Sequence, residues 1–199
     1  MSADPAHDYV SRGGLKLEHA LDTFGIDPSG LVCADFGCNV GGFTDCLLRR
    51  GAAHVYAVDT GYGELAWKLR NDDRVTVMER TNALHVEPPT ENKPSLVVID
   101  LGWTPQRQCL PVATAWMDDP SSGRIVTLIK PHYEASHFGI QHRGILPDDL
   151  AEDVMRRVIK EIGELGYRVL GESCSPLRGG KGKGKAGNIE FLAHIAPGI

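Results

Sequence analysis

Two lysines and two carboxylates, Lys16, Asp100, Lys130 and Glu190, stand in local contexts that predict where each side chain points. Lys16 falls in Ser11-Arg12-Gly13-Gly14-Leu15-Lys16-Leu17, beside the apolar stripe of a helical pattern. Asp100 closes the apolar run Leu96-Val97-Val98-Ile99, and Lys130 closes Ile125-Val126-Thr127-Leu128-Ile129 just before Pro131. Glu190 sits in Gly187-Asn188-Ile189-Glu190-Phe191-Leu192. In an open parallel sheet the strand ends converge on one edge, where ligands bind. Gathered there, the four residues read as a lysine poised by carboxylates for proton removal. The plainer alternative is a pair of structural salt bridges.

Between the first two lies Asp35-Phe36-Gly37-Cys38-Asn39-Val40-Gly41-Gly42-Phe43-Thr44, after the short strand pattern Leu31-Val32-Cys33-Ala34 and before a helical stretch. Glycine in such a turn lets backbone approach a ligand closely and accepts strained dihedrals. The next strand pattern ends in Asp59, where an acid about 20 residues past the first glycine suits the two hydroxyls of a ribose. The dinucleotide spacing G-x-G-x-x-G is absent; the glycines are Gly37, Gly41 and Gly42. Asp35, two positions ahead of Gly37, would disfavour a pyrophosphate and favour the amino group of a methionine moiety. The candidate cofactor-binding set is Asp35, Gly37, Asn39, Gly41, Gly42, Phe43, Asp59, Asn82 and Asp100. It argues for S-adenosylmethionine over NAD; a tight turn made only for packing is the bland reading.

The elements that must carry these residues alternate. A helix is expected over Leu15–Phe24, with Leu17, Ala20, Leu21 and Phe24 on one face. Strands are expected at Val32–Phe36, Val55–Asp59, Val75–Glu79, Leu96–Asp100 and Ile125–Ile129, with helices at Gly42–Arg50, Glu64–Arg70 and Gln106–Met117. A long amphipathic helix follows at Asp148–Leu165, its Ala151, Val154, Val158, Ile162 and Leu165 facing the core. Strands at Arg168–Ser173 and Ile189–Ile195 close the chain as an antiparallel edge pair. Alternation of this kind predicts an α/β fold, a doubly wound, mostly parallel Rossmann-like sheet. At 199 residues the expectation is one domain over 1–199, with about 1–8 as a flexible lead.

The charge of −5 suits a globular protein and repels phosphates, so any nucleic-acid contact must rest on a local basic patch. Five cysteines without paired metal-ligand spacing speak against a disulfide scaffold or zinc site, and no metal is expected. No basic-then-apolar leader or membrane-length run is visible, and the chain reads as soluble and cytoplasmic.

The ordered set Tyr9–Leu17, the turn through Gly42-Phe43-Thr44, Val55–Asp59, Arg80-Thr81-Asn82, Ile129-Lys130-Pro131 and Gly187–Leu192 resembles the FtsJ-like ribose 2′-O-methyltransferases, most closely the TlyA (haemolysin A-like) branch. The resemblance runs from Tyr9 to about the last strand. It implies a Rossmann-like methyltransferase fold with an antiparallel C-terminal strand, S-adenosylmethionine as methyl donor, and a ribosomal RNA or ribosomal subunit as partner. The family's catalytic Lys-Asp-Lys-Glu set falls on Lys16, Asp100, Lys130 and Glu190. A ribose hydroxyl is a weak acid, so a base must act as the methyl moves. Lys130 is assigned as that base, Asp100 and Glu190 as orienting carboxylates, and Lys16 as an electrostatic partner. Cys38 and Asn39 depart from the small Ala-Ser pair usual in the turn, and Leu101-Gly102-Trp103-Thr104-Pro105 from the relatives' Ser-Phe-Ile-Ser type. No S4-like RNA-binding domain is expected ahead of Tyr9, which leaves RNA contact to Arg12, Arg178, Lys181, Lys183 and Lys185. His132, Tyr133 and His137 are expected on a loop at the catalytic edge, and Asp45 as an ordinary first-turn acid. The alternatives are a cofactor-binding RNA-associated module without catalysis, an NAD-type oxidoreductase on the same fold, and a membrane-lytic protein.

Overall fold

The computed structural model describes residues 8–180 and 187–198. Residues 1–7 of the lead expected over about 1–8, and the lysines Lys181, Lys183 and Lys185, lie outside the described residues. The elements run α1 (Gly13–Phe24), β1 (Val32–Phe36), α2 (Gly42–Arg49), β2 (His54–Val58), α3 (Trp67–Arg70), β3 (Val75–Met78), β4 (Leu96–Ile99), α4 (Gln106–Trp116) and β5 (Arg124–Ile129). The short α5 (Pro131–Glu134) and a 3-10 turn (Ala135–Phe138) follow, then α6 (Asp148–Glu164), β6 (Arg168–Cys174) and β7 (Phe191–Ala196).

The strands form one seven-stranded sheet in the order β3-β2-β1-β4-β5-β7-β6. The pairings from β3 to β5 are all parallel, and β7 runs antiparallel to both β5 and β6. The α/β class and antiparallel last strand are as expected. The expected antiparallel edge pair is present: β6 and β7 pair with β6 at the edge, and β7 lies beside β5, so Glu190 is delivered next to β5.

Strand residues alternate strictly between two apolar layers. Ala34, Phe36, Val97, Ile99, Ile125 and Ile129 face α4 and α6, whereas Cys33, Leu96, Val98, Val126 and Leu128 face α1 and α2. That near-continuous apolar character is what burial on both faces demands of parallel strands. In the first layer Trp116 is fully buried, edge-on to Phe36 at 5.0 Å and to Tyr56 at 6.0 Å. α6 buries Ala151, Val154, Met155, Val158 and Ile162, while Leu165 caps the helix and is exposed, contrary to its expected core position. The helix expected over Glu64–Arg70 shrinks to one turn, because Gly61, Gly63 and their neighbours are spent on loop contacts around Asp59 and Glu79.

Removing the Trp116 ring from so tightly packed a layer should cost about 3–5 kcal/mol, read as a lower urea midpoint for Trp116→Ala. Trp116→Phe should cost much less, because the indole N–H donates to no partner among the described residues and its loss removes an unmet donor.

Candidate active site

The register at the sheet's C-terminal edge places the glycine turn. Phe36 pairs with Val58 on one side and Ile99 on the other, and the backbone continues by Gly37 N–H donating to Val58 O at 2.8 Å and Asp100 N–H donating to Phe36 O at 2.9 Å. Gly37 has φ +88°, and a Cβ there would stand 2.7 Å from Asp100 O. Gly41, at φ +100°, would drive a Cβ to 2.3 Å from Leu69 Cδ1. The turn thus needs glycine at both positions for backbone angle and for space. Asn39 takes a positive φ of 48°, which asparagine tolerates better than most residues.

Two clefts open beside this turn, of about 420 and 390 Å³, and share Gly37, Asn39 and Asp100 as their common wall. The first is bounded by Arg12, Lys16, Gly42 and Phe43 and by Arg178–Gly180 opposite. The second is bounded by Asp59, Thr81, Asn82 and the loop Leu101–Thr104, with Lys130 and Tyr133 at its far side.

The four predicted catalytic residues come together as two ion pairs. Lys16 Nζ donates to Glu190 Oε2 at 2.5 Å, both groups nearly fully buried. Lys130 Nζ pairs with Asp100 Oδ1, and both remain partly open to the clefts. Lys16 reaches inward from α1, and Glu190 precedes β7 instead of lying within it. Gly179 makes room for that carboxylate, since a Cβ there would fall 2.1 Å from Glu190 Oε1.

Asp35 is fully buried beneath the turn and outside both cleft linings. Its Oδ2 accepts the Thr44 N–H at 2.9 Å and hydroxyl at 2.7 Å, while Oδ1 accepts no hydrogen bond among the described residues. Burial, opposed by the Thr44 hydroxyl and reinforced by the nearby Asp100 and Asp59 charges, pushes its pKa up to about 7. Asp59 is a wall of the second cleft, yet both its oxygens already serve backbone: Oδ2 accepts Asn39 N–H at 2.8 Å and Oδ1 accepts Gly61 N–H at 2.7 Å. Asn82 lines the same cleft while its Oδ1 accepts the Leu84 N–H at 3.0 Å, so it is also a turn asparagine.

Several expectations change. Arg178 is held by Asp148 and donates to Gly187 O at 3.2 Å, so its charge is already paired. Arg12 lines the first cleft and donates to Arg178 O at 3.1 Å. His132 and Tyr133 lie in a helical turn, not a loop, and His137 is turned away to Glu161 at 2.7 Å. Asp45 is a buried hub: it accepts Val10 N–H at 2.9 Å and pairs with Arg49 and Lys68, fixing the stretch that leads into the first cleft. Sequence reading missed Ser11 in the first cleft and Trp103 in the second; Trp103 is 80% exposed at φ +55° and stacks at 4.8 Å on Tyr133. An isolated tryptophan in a proline-containing loop gave no periodic signal that could have flagged it.

Comparison with known proteins assigns the class. The family model for FtsJ-like methyltransferase matches residues 9–192, and the chain belongs to that family. It is 43% identical over 190 residues to the candidate rRNA methyltransferase YqxC of Bacillus subtilis, covering 94% of this chain and 65% of that protein. It is 40% identical over 194 residues to the 16S/23S rRNA (cytidine-2'-O)-methyltransferase TlyA of Mycobacterium tuberculosis, covering 96% of this chain and 70% of that one. A solved candidate hemolysin from Streptococcus thermophilus superposes with a TM-score of 0.87 at 40% identity, over 98% of this chain and 70% of the other. S-adenosylmethionine is therefore the cofactor, and a nicotinamide oxidoreductase is set aside. The residues present fit it: a glycine cradle that a Cβ would fill, and beneath it a buried carboxylate oxygen without a partner among the described residues. No described helix is long and apolar enough to cross a membrane, and no described cluster of His, Cys, Asp or Glu could hold a metal.

The raised pKa of Asp35 sets a pH signature for the protein alone. The folded state holds this proton more tightly than the unfolded state, whose value is 3.8, so its contribution is full below about pH 4 and is lost as pH rises through about 7. The stability difference between wild type and Asp35→Asn should therefore turn against wild type across that window, by at most about 1.4 kcal/mol per pH unit. Urea titrations at pH 5 and pH 7.5 measure it; a difference that stays constant would mean that Asp35 does not titrate there.

Proposed function

We propose that this chain methylates a ribose 2′-hydroxyl of RNA, a ribosomal RNA or ribosomal subunit being the substrate, with Lys130 as general base. The observation that carries this reading is the Lys130–Asp100 ion pair at the junction of two clefts, backed by Lys16–Glu190. The activity named for the Mycobacterium relative supports the acceptor chemistry. Because the chain spans 65% of the Bacillus relative, the activity and partners of a whole protein of that kind are carried over here as part of the proposal.

Bound across the clefts, S-adenosylmethionine supplies an electrophilic methyl group. Gly37–Phe43 hold the methionine end, with Asp35 buried beneath them and bonded to Thr44, and Asp59, Thr81 and Asn82 border the ribose and adenine end. With Asp59 already serving two backbone amides, it orders the turn that receives the ribose as well as facing it. Asp100 keeps Lys130 Nζ at the cleft, in place to take the proton that the acceptor hydroxyl gives up as the methyl transfers. Glu190 holds Lys16, whose charge lies against the first cleft and steadies the developing oxyanion. Arg12 and the lysines Lys181, Lys183 and Lys185 are the cations left to meet phosphates. The four buried cysteines are all free, as suits a reducing cytoplasm.

Three measurements test this. Calorimetry should register S-adenosylhomocysteine and not NAD, and Asp59→Ala should weaken that binding by about 1–3 kcal/mol. Lys130→Ala should reduce methyl transfer to ribosomal RNA by at least about a hundredfold with cofactor affinity close to unchanged; a variant that keeps a tenth of the rate excludes Lys130 as the base. Replacing Lys181, Lys183 and Lys185 with alanine should flatten the log–log salt slope of RNA binding by about two units, at about 0.7 per contact, whereas an unchanged slope removes those lysines from the interface.

A further inference from the structure

Asp100 and Lys130 sit on neighbouring strands, but the chain leaves each strand in a different direction. After Asp100 the loop residues Leu101–Thr104 line the second cleft, and the chain then enters α4 at Gln106. After Lys130 the chain turns at once into α5, where Glu134 lies four residues on. Glu134 is 2% exposed, and its Oε1 accepts the Gln106 N–H at 3.0 Å. The Gln106 side chain is itself buried, and its Oε1 accepts the hydroxyl of Thr127, three residues before Lys130 on β5, at 2.7 Å. Thr127, Gln106, Glu134 and Lys130 thus close a circuit between the two strand ends.

We propose that Glu134 is a positioning residue for the Asp100–Lys130 pair, clamping the loop after Asp100 to the turn after Lys130; this rests on the catalytic reading of that pair given above. The clamped loop needs holding. Trp103 sits in it at φ +55°, a region that bulky side chains rarely adopt, and with its side chain 80% exposed its ring contact is to Tyr133 of α5, at 4.8 Å, on the same turn that Glu134 ends. The carboxyl is poorly placed for stability alone. Its Oε2 has no hydrogen-bond partner among the described residues, and burial pushes the group up to about 7. A carboxyl in such surroundings costs free energy that an apolar side chain would not, whereas its one made bond falls on a helix N-terminal amide, where an acceptor is favoured. A shift of about 1 Å between reacting groups can cost about a hundredfold in rate, so a clamp of this kind acts on turnover and not on affinity.

The test compares Glu134→Ala, Glu134→Asp and Glu134→Gln in the full chain, by initial rates on ribosomal RNA, S-adenosylhomocysteine affinity, and amide exchange at Gln106 and in Leu101–Thr104. Alanine and aspartate, which cannot reach Gln106, should lower kcat by about ten- to a hundredfold with KM and cofactor affinity within about twofold. Glutamine keeps a carbonyl at the same reach and should stay within about threefold of wild type. Exchange should quicken in the alanine and aspartate variants only. If alanine does not fold, aspartate decides alone. Wild-type kcat in the aspartate variant, glutamine as slow as aspartate, or parallel loss of cofactor affinity each overturns the clamp. A wild type without methyl transfer to ribosomal RNA overturns the proposed substrate and not the clamp, which the exchange rates then judge by themselves.

Discussion

Gly37 brings its backbone to a spot where a Cβ would stand 2.7 Å from the carbonyl oxygen of Asp100. That contact is possible because β1 pairs in parallel with β2 and β4, so Phe36, Val58 and Ile99 end level with one another. Everything chemical follows from that shared ending. The turn rises between Asp59 and Asp100, the two clefts divide along it, and Lys130 arrives one strand further on. A slip of one residue in a strand would send each of these side chains to the opposite face of the sheet.

Much of this was legible in the sequence, for identifiable reasons. Apolar runs ending in Asp59, Asp100 and Lys130 announce buried parallel strands with polar groups at their tips, and glycines at positions 37, 41 and 42 announce the turn. Those signals are local. The order of the last two strands is not local, because β7 enters the sheet beside β5 by leaving β6 on the edge, and adjacent sequence cannot say which partner it takes. The same limit explains Arg178. Its neighbours in sequence suggest a free basic stretch, whereas its partner, Asp148, lies 30 residues away at the start of α6. Asp45 and Glu134 were opaque for a related reason: an acid in a helix looks solvated until the fold closes over it.

The acids of this protein divide into groups that face the clefts and groups that hold them from behind. Asp100 is partly open, while Asp35, Asp45, Glu134 and Glu190 are all buried. Buried carboxylates that bond backbone amides define positions more sharply than apolar packing does, because a hydrogen bond specifies direction as well as distance. Asp35, Asp45, Glu134 and Glu190 are thus internal scaffolding and not surface charge.

A Cβ on Gly187 would strike the Gly179 carbonyl and one on Gly179 the Glu190 carboxylate, and Gly179 N–H donates to Asn188 O at 2.9 Å. Asn188 in turn accepts from Leu146 N–H at 2.8 Å, and Glu190 follows two residues later. The position of Glu190 is therefore settled below this neck, whatever lies between Gly180 and Gly187. Lengthening a loop whose ends are already joined adds little entropic cost. A change of sequence between Gly180 and Gly187 therefore leaves the Lys16–Glu190 pair where it is.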